Sequence, residues 1–155
     1  MGRYVVRAVA NRGQMTLLLA IDPGKVTGLA LFREGLLVAA NAANGDTLWS
    51  RGSGFTPVDV DEIVIERPCD RHGKNHATVN DLIALAIRAG RAAGPWGASV
   101  TWYTPVRWKG NLPKEVCWKR ACARLSLQEQ ALVPADHNVR DAVALGLYHL
   151  RRWQL

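Results

Sequence analysis

Cysteine is sparse in this chain and unpaired in pattern. Cys69, Cys117 and Cys122 are the only three, no two form a CxxC pair, and one is left unmatched. That spacing argues against a disulfide framework or a zinc knuckle and suits a reducing compartment. Long apolar runs are missing as well, so no membrane-spanning segment is expected. The amino-terminal MGRYVVRAVANRGQ starts basic, but Arg7 breaks the apolar core that a signal peptide requires. Residues 1–14 therefore read as a flexible basic extension. No segment repeats. Acidic residues are in the minority, 13 against 20 Lys and Arg, leaving a formal charge of +7 and a pI near 9.8. A polyanionic partner is the first expectation from that excess.

What is plentiful is apolar residue, 48% of 155, enough to bury a core without cross-links and to make one domain over residues 15–155. That domain is organised around Met15 to Phe32, MTLLLAIDPGKVTGLALF. The apolar run Leu17 to Ile21 has the length of a buried central strand, and it stops at Asp22 before Pro23-Gly24. Gly24 and Gly28 bracket a polar turn holding Lys25 and Thr27. Apolar residues resume at Leu29, Leu31 and Leu36 to Val38, with Glu34-Gly35 as a hairpin turn. The expected unit is a three-stranded meander with one acid at its mouth.

Asn41 to Asp59 is rich in Gly, Asn, Ser and Thr and reads as a long surface loop. In DEIVIERP a second buried strand, Ile63 to Ile65, is stopped by Glu66 and Pro68. A basic connection follows, carrying Arg71 and Lys74, with Asn75 as a candidate cap for a helix whose predicted buried face is Val79, Leu82, Ile83, Ala86, Ile87 and Gly90. Ala98 to Thr104 alternates Val100 and Trp102 with small or polar residues, as a half-exposed strand does. Pro105 to Pro113 reads as a basic loop, and Pro113 opens a helix to about Leu127 with an apolar stripe of Cys117, Ala121 and Leu125. Lys114, Lys119, Arg120 and Arg124 lie off that stripe. Asp136 is an N-cap for the last helix, which is expected to bury Val139, Ala142, Val143, Gly146, Leu147 and Leu150. Asp141 falls outside that set, one turn after His137. A meander followed by crossover helices implies a mixed α/β sheet, whose strand ends gather on one edge where such sheets place their sites.

Asp22, Glu66, Asp141 and His137 are the candidate catalytic and metal-binding residues. Each acid also has a local explanation, since Asp favours turns before Pro-Gly, Glu before Pro ends a strand, and Asp suits an early helical turn. Together they say more. Carboxylates converging on one edge repel and raise each other's pKa unless protons or a cation offset them. Hard oxygen ligands in a basic protein point to magnesium or manganese bridging a phosphate. Two such ions, roughly 3.5 to 4 Å apart, would clamp the attacking water and the leaving oxygen of an in-line phosphodiester hydrolysis. His137 is open between ligand, general acid/base and plain helix-end residue.

The pieces AIDPGKVTG, IVIERP and DHNVRDAVALGL, in this order, resemble the three acidic motifs of the RuvC-like Holliday junction resolvases, within the ribonuclease H-like superfamily. PVRWKGNLPKE and the basic helix after it are similar to the segment carrying that family's DNA-contacting lysines, and the wording is nearest the phage-type branch. The resemblance covers Thr16 to Arg152. It implies a central five-stranded mixed sheet in the order 3-2-1-4-5, strand 2 antiparallel, flanked by helices. It also implies a homodimer that cuts four-way or other branched DNA in recombination or repair, in the cytoplasm of a bacterial cell or phage-infected host. By position, Asp22, Glu66 and Asp141 would bind Mg2+ or Mn2+, two ions per site. Lys109 and Lys114 would approach the DNA backbone, with Lys119, Arg120, Arg71 and Lys74 as further DNA contacts. The family's fourth ligand falls on Asn138, leaving Asp136 and His137 as neighbouring substitutes. Some relatives stack an aromatic residue, set shortly after the second acid, on a base at the junction. Here that loop reads RPCD, so stacking must come from elsewhere or be absent; Trp108 is a candidate, with core packing as the other reading of that tryptophan.

Other readings keep the fold and change the role. One is an RNA-processing nuclease of the resolvase-like type; another is a non-catalytic junction-binding module. DPGKVTG is also similar to the first phosphate loop of sugar-kinase and actin-like proteins, but the chain is too short for their two-domain cleft.

Overall fold

The computed structural model describes residues 16–46, 60–68, 79–94 and 98–153. The predicted amino-terminal extension, the Asn75 cap and the residues Arg71 and Lys74 lie outside the described residues. The apolar run at the start forms β1 (Leu17–Asp22), followed by β2 (Val26–Arg33) and β3 (Leu36–Asn44). Glu34 and Gly35 join β2 to β3 with φ of 51° and 81°, the double positive pair that a two-residue hairpin needs to follow the twist of its strands. Then come β4 (Glu62–Glu66), α1 (Val79–Ala93) and β5 (Ser99–Tyr103). The remainder is helical: α2 (Pro105–Lys109), α3 (Lys114–Cys122), α4 (Leu127–Ala131) and α5 (His137–His149). The sheet order is β3-β2-β1-β4-β5, with β2 antiparallel to both neighbours and β1, β4 and β5 parallel, as expected. No helix among the described residues is long and apolar enough to cross a membrane.

The two-residue period of the strands divides the core into two layers. Leu18, Ala20, Ala30, Phe32 and Val64 face α5 and α3, meeting Val139, Val143, Leu147, Cys117 and Ala121. Leu19, Ile21, Leu29, Ile63 and Ile65 face the other way, onto Ala89, Ala92 and Ala93 of α1. This alternation positions the acids. Asp22 continues the parity of Leu18 and Ala20, and Glu66 that of Val64, so both belong to the α5 side. Helix α5 lies close against the sheet because two glycines permit it: a Cβ at Gly28 would overlap the carbonyl of Asn138, and one at Gly146 would overlap the Phe32 ring. At the far end of α5, His149 Nε2 lies 2.9 Å from Glu62 and its Nδ1 lies 3.2 Å from the Tyr103 hydroxyl, fixing that end to β4 and β5.

Several expectations are corrected. Strand β3 runs to Asn44 where a loop was expected from Asn41, because pairing with β2 up to Val26 holds a segment whose own alanines and asparagines carry little strand preference. Among the described side chains of α1 the buried ones are Ala89, Ala92 and Ala93, while Ile83 and Ile87 are 52% and 50% exposed and Ala86 and Gly90 are exposed too; the side chains of Val79 and Leu82 lie outside the described set. Small side chains let the helix approach the sheet, and the ion pair of Arg88 with Asp46 at 2.8 Å ties the helix to the end of β3. The expected helix to Leu127 is interrupted after Cys122, because Ser126 starts α4 through a reciprocal capping box with Glu129. Part of the Pro105–Pro113 loop is helix α2. Asp141 is buried, not outside the buried set.

Glu129 does more than cap. Its Oε1 accepts from the Leu37 amide on the edge strand β3 at 2.9 Å and from Arg152 at 2.7 Å, while Arg152 also donates to the carbonyls of Gly35 and Arg124. One buried carboxylate thus joins α4, the β2–β3 hairpin and the chain after α5. The Arg152 guanidinium, outweighing burial and helped by the backbone donors, holds Glu129 at about 2 against an ordinary 4.5. A value lowered by folding gives stability that is complete above about pH 4.5 and lost as the pH falls toward 2. Glu129→Gln should cost about 3 kcal/mol at neutral pH, the usual cost of breaking a buried pair. In urea unfolding from pH 7 to 2.5 the gap from wild type should close on the acid side. Parallel profiles would show that Glu129 does not carry this dependence.

Candidate active site

The site is assembled at the edge where β1 and β4 end, under the first turns of α5. Asp22, 9% exposed, is the last residue of β1, Glu66 the last of β4, and Asp141, 7% exposed, stands in the second turn of α5. The fourth member is Lys109, the last residue of α2, only 5% exposed. Its Nζ lies 3.1 Å from Glu66 Oε2 and 3.3 Å from Asp141 Oδ2. Lys114, at the start of α3, has its Nζ 4.0 Å from the same Asp141 oxygen but with a side chain 58% exposed. The preceding residue in α2 also serves Glu66: Trp108 Nε1 donates to Glu66 Oε2 at 2.8 Å.

The electrostatics follow from burial. Asp22 is pushed well above the ordinary carboxylate range, first by loss of water and then by the charges of Glu66 and Asp141, against the opposing pull of Lys109 and Lys114. Lys109 is raised, because the attraction of Glu66, Asp141 and Asp22 outweighs its own desolvation. Cys117, beneath this cluster, is pushed up to about 11, mainly by burial and then by Asp141, so it is a neutral core thiol.

Among the described residues, no three His, Cys, Asp or Glu side chains converge tightly enough to hold an ion as they stand. The geometry gives the reason: two of the three carboxylates point at the Lys109 ammonium. The donor set nevertheless fits a hard divalent cation, since it presents buried carboxyl oxygens from three elements, and burial with the charges of Glu66 and Asp141 raises Asp22 in the absence of an added cation. His137 lies exposed at the first position of α5. Asp136 Oδ1 is engaged as the cap, accepting from the amides of Asn138 and Val139 at 2.8 and 3.2 Å. Lys119 and Arg120 are exposed on α3.

Of the two readings of Trp108, the structure takes core packing. The side chain is fully buried, packed edge-on to Trp153 with ring centroids 5.9 Å apart, and is inaccessible to a stacking base. Its role as the donor that orients Glu66, and the inward course of Lys109, were not expected from a loop. The available signal was Thr104-Pro105, the pattern of a helix start with Pro in its first turn. The exposed aromatic near Glu66 is Trp102, paired in register with Ile65, which lines a groove of about 500 Å³ with Arg67, Pro68, Ala86 and Ala89.

The order 3-2-1-4-5, with one antiparallel strand and helices on both faces, defines the ribonuclease H-like class of fold. Within it, the chain is similar to RuvC of Thermus thermophilus. One structure of that protein aligns with a TM-score of 0.51 at 15% identity, covering 87% of this chain and 93% of that one. A second, T. thermophilus RuvC in complex with Holliday junction substrate, aligns with a TM-score of 0.53 at 19% identity, covering 87% and 92%. No protein-family model and no curated protein sequence matches the chain.

A buried cluster of like charges is destabilising, so its removal is expected to strengthen the metal-free fold. The raised Asp22 carboxyl contributes stability below its ordinary 3.8 and loses it as the pH rises through its folded-state value. In EDTA at pH 7.5, Asp22→Asn should therefore melt roughly 3 °C above wild type, with the difference shrinking as the pH is lowered toward 4. A lower melting temperature for the variant would contradict the charge analysis.

Proposed function

We propose that this chain is a metal-dependent, structure-selective endonuclease that resolves four-way or other branched DNA, of the phage-type branch of RuvC-like enzymes. The observation that carries this reading is the meeting of Asp22, Glu66 and Asp141, from three separate elements, beside two lysines in a net basic chain. Acids gathered at a buried edge without a structural need are what divalent-metal phosphodiester chemistry requires. The likeness to RuvC in complex with a Holliday junction supports the choice of substrate.

In this reading Asp22, Glu66 and Asp141 hold Mg2+ or Mn2+, two ions per site, with His137, Asp136 or Asn138 as the neighbouring fourth donor. The ions would activate water and neutralise charge on the phosphate. The chain's own residues do the rest. Trp108 fixes the rotamer of Glu66 through its Nε1–H. Lys114, on the exposed side of Asp141, meets the phosphate backbone, and Lys119 and Arg120 extend that contact along α3. Such contacts orient the DNA, and the shape of the branch point supplies selectivity. A cytoplasmic setting in a bacterial cell or phage-infected host, and a role in recombination or repair, belong to the same proposal.

A homodimer is part of it, because two strands of a junction must be cut in register. The outward face of α1, with Ile83 and Ile87 one turn apart and half exposed, supports a self-complementary contact.

The test is cleavage of a labelled four-way junction against linear duplex and an RNA hairpin, with Mg2+, Mn2+ or EDTA. Paired nicks on the junction, dependent on metal and lowered roughly a thousand-fold by Asp22→Asn or Asp141→Asn without loss of binding, are expected. Cutting of RNA alone would favour an RNA-processing nuclease, and tight binding without cutting a non-catalytic module. Affinity should fall steeply with salt, with log K declining by about 0.9 per phosphate contact for each unit of log salt. Separately, Ile83→Arg with Ile87→Arg should convert the protein to a monomer in analytical ultracentrifugation; an unchanged dimer would place the interface elsewhere.

A further inference from the structure

The place between Glu66 and Asp141 already holds a positive charge. Lys109 Nζ is within 3.1 and 3.3 Å of one oxygen from each, and the Trp108 ring closes the third side with its centroid 4.6 Å from the ammonium. An ion bridging the same two oxygens at about 2.1 Å from each would come into direct contact with that nitrogen. The site is nearly dry, Lys109 being 5% exposed, so the repulsion between an ammonium and a divalent ion there is scarcely screened. Lys114 differs. Among the described residues its one ion pair is with Asp141, at 4.0 Å, from a side chain more than half exposed, so it does not stand between Glu66 and Asp141.

We propose that Lys109 and a divalent cation are alternative occupants of one position, so that loading the site expels the Lys109 head group from between Glu66 and Asp141. The inference rests on the reading of these acids as a metal centre. In the metal-free protein Lys109 is the internal counter-ion that lets three acids share a buried edge. Lys109 is the last residue of a five-residue helix and is followed by Gly110, at φ 56°, where the chain turns. The expelled ammonium is then free to take a phosphate oxygen. Metal loading and exposure of a phosphate-binding charge become one event, and the metal-free site presents less positive charge to DNA.

Two measurements on the full chain without DNA test this. The first is Mn2+ affinity, read by electron paramagnetic resonance of the free ion, for wild type, Lys109→Met, Lys114→Met and Asp141→Asn. The second is acetylation of wild-type Lys109 by an amine-reactive reagent, read by mass spectrometry with and without Mn2+. Lys109→Met should bind Mn2+ at least about ten-fold more tightly, well beyond any gain in Lys114→Met, because it removes the occupant as well as a charge. Acetylation of Lys109 should rise on adding Mn2+ while that of Lys119 stays constant. Equal gains in the two lysine variants, an unimproved Lys109→Met, or unchanged labelling would overturn the proposal. Mn2+ binding abolished by Asp141→Asn but unaltered by Lys109→Met overturns this inference alone; no Mn2+ binding by any of the proteins overturns the metal reading with it. Should Lys109→Met fail to fold, the wild-type labelling decides.

Discussion

Three carboxylates placed at one buried edge repel each other, and much of this structure is arranged around that repulsion. Water, which would ordinarily screen it, is excluded by the same packing that holds the acids in place. The protein answers with one buried ammonium and one exposed one. Among the described residues two ammonium groups face three acids, and the repulsion falls hardest on Asp22, whose carboxyl is raised by burial and by Glu66 and Asp141. Acids gathered at one buried edge of a chain with a formal charge of +7 are the combination that the proposed metal-dependent action on a nucleic-acid backbone calls for.

The sheet was legible because its signals are local and strong. Leu17 to Ile21 and Ile63 to Ile65 are short apolar runs ended by an acid and a proline-containing turn, and each is the buried strand it was read to be. Glu34-Gly35 is the hairpin turn, and the sheet order follows the resemblance carried by the acidic motifs. Asp22 and Glu66 were picked out by position, at strand ends, and Asp141 near the start of the last helix. What could not be read depended on partners far away in the chain. Helix α1 carries both isoleucines and alanines, and only the sheet decides that Ala89, Ala92 and Ala93, not Ile83 and Ile87, turn inward. The strand character of Asn41 to Asn44 comes from β2, not from its own residues. The buried state of Trp108 and Lys109 depends on Glu66, more than forty positions earlier, offering an oxygen to both.

Away from the chemical edge, stability is drawn from an unrelated network. Glu129 and Arg152 join α4, the β2–β3 hairpin and the residues after α5 through hydrogen bonds that are fully satisfied, in contrast to the frustrated charge at Asp22. The same fold thus contains a carboxylate lowered by its partners and one raised by its neighbours. The first closes part of an edge strand that would otherwise present a free amide. The second is kept under tension, where a ligand can relieve it.

The short helix α2 has a consequence for how this protein can vary. Trp108 and Lys109 are consecutive residues that reach the same Glu66 oxygen, one through an indole N–H and the other through an ammonium. Inserting or deleting a single residue between Pro105 and Trp108 would turn both side chains by about 100° around the helix axis and take both away from it. The spacing of this segment is therefore more tightly constrained than its composition. Loop-length variation, which surface connections usually absorb at little cost, would here act as an all-or-none change in the site.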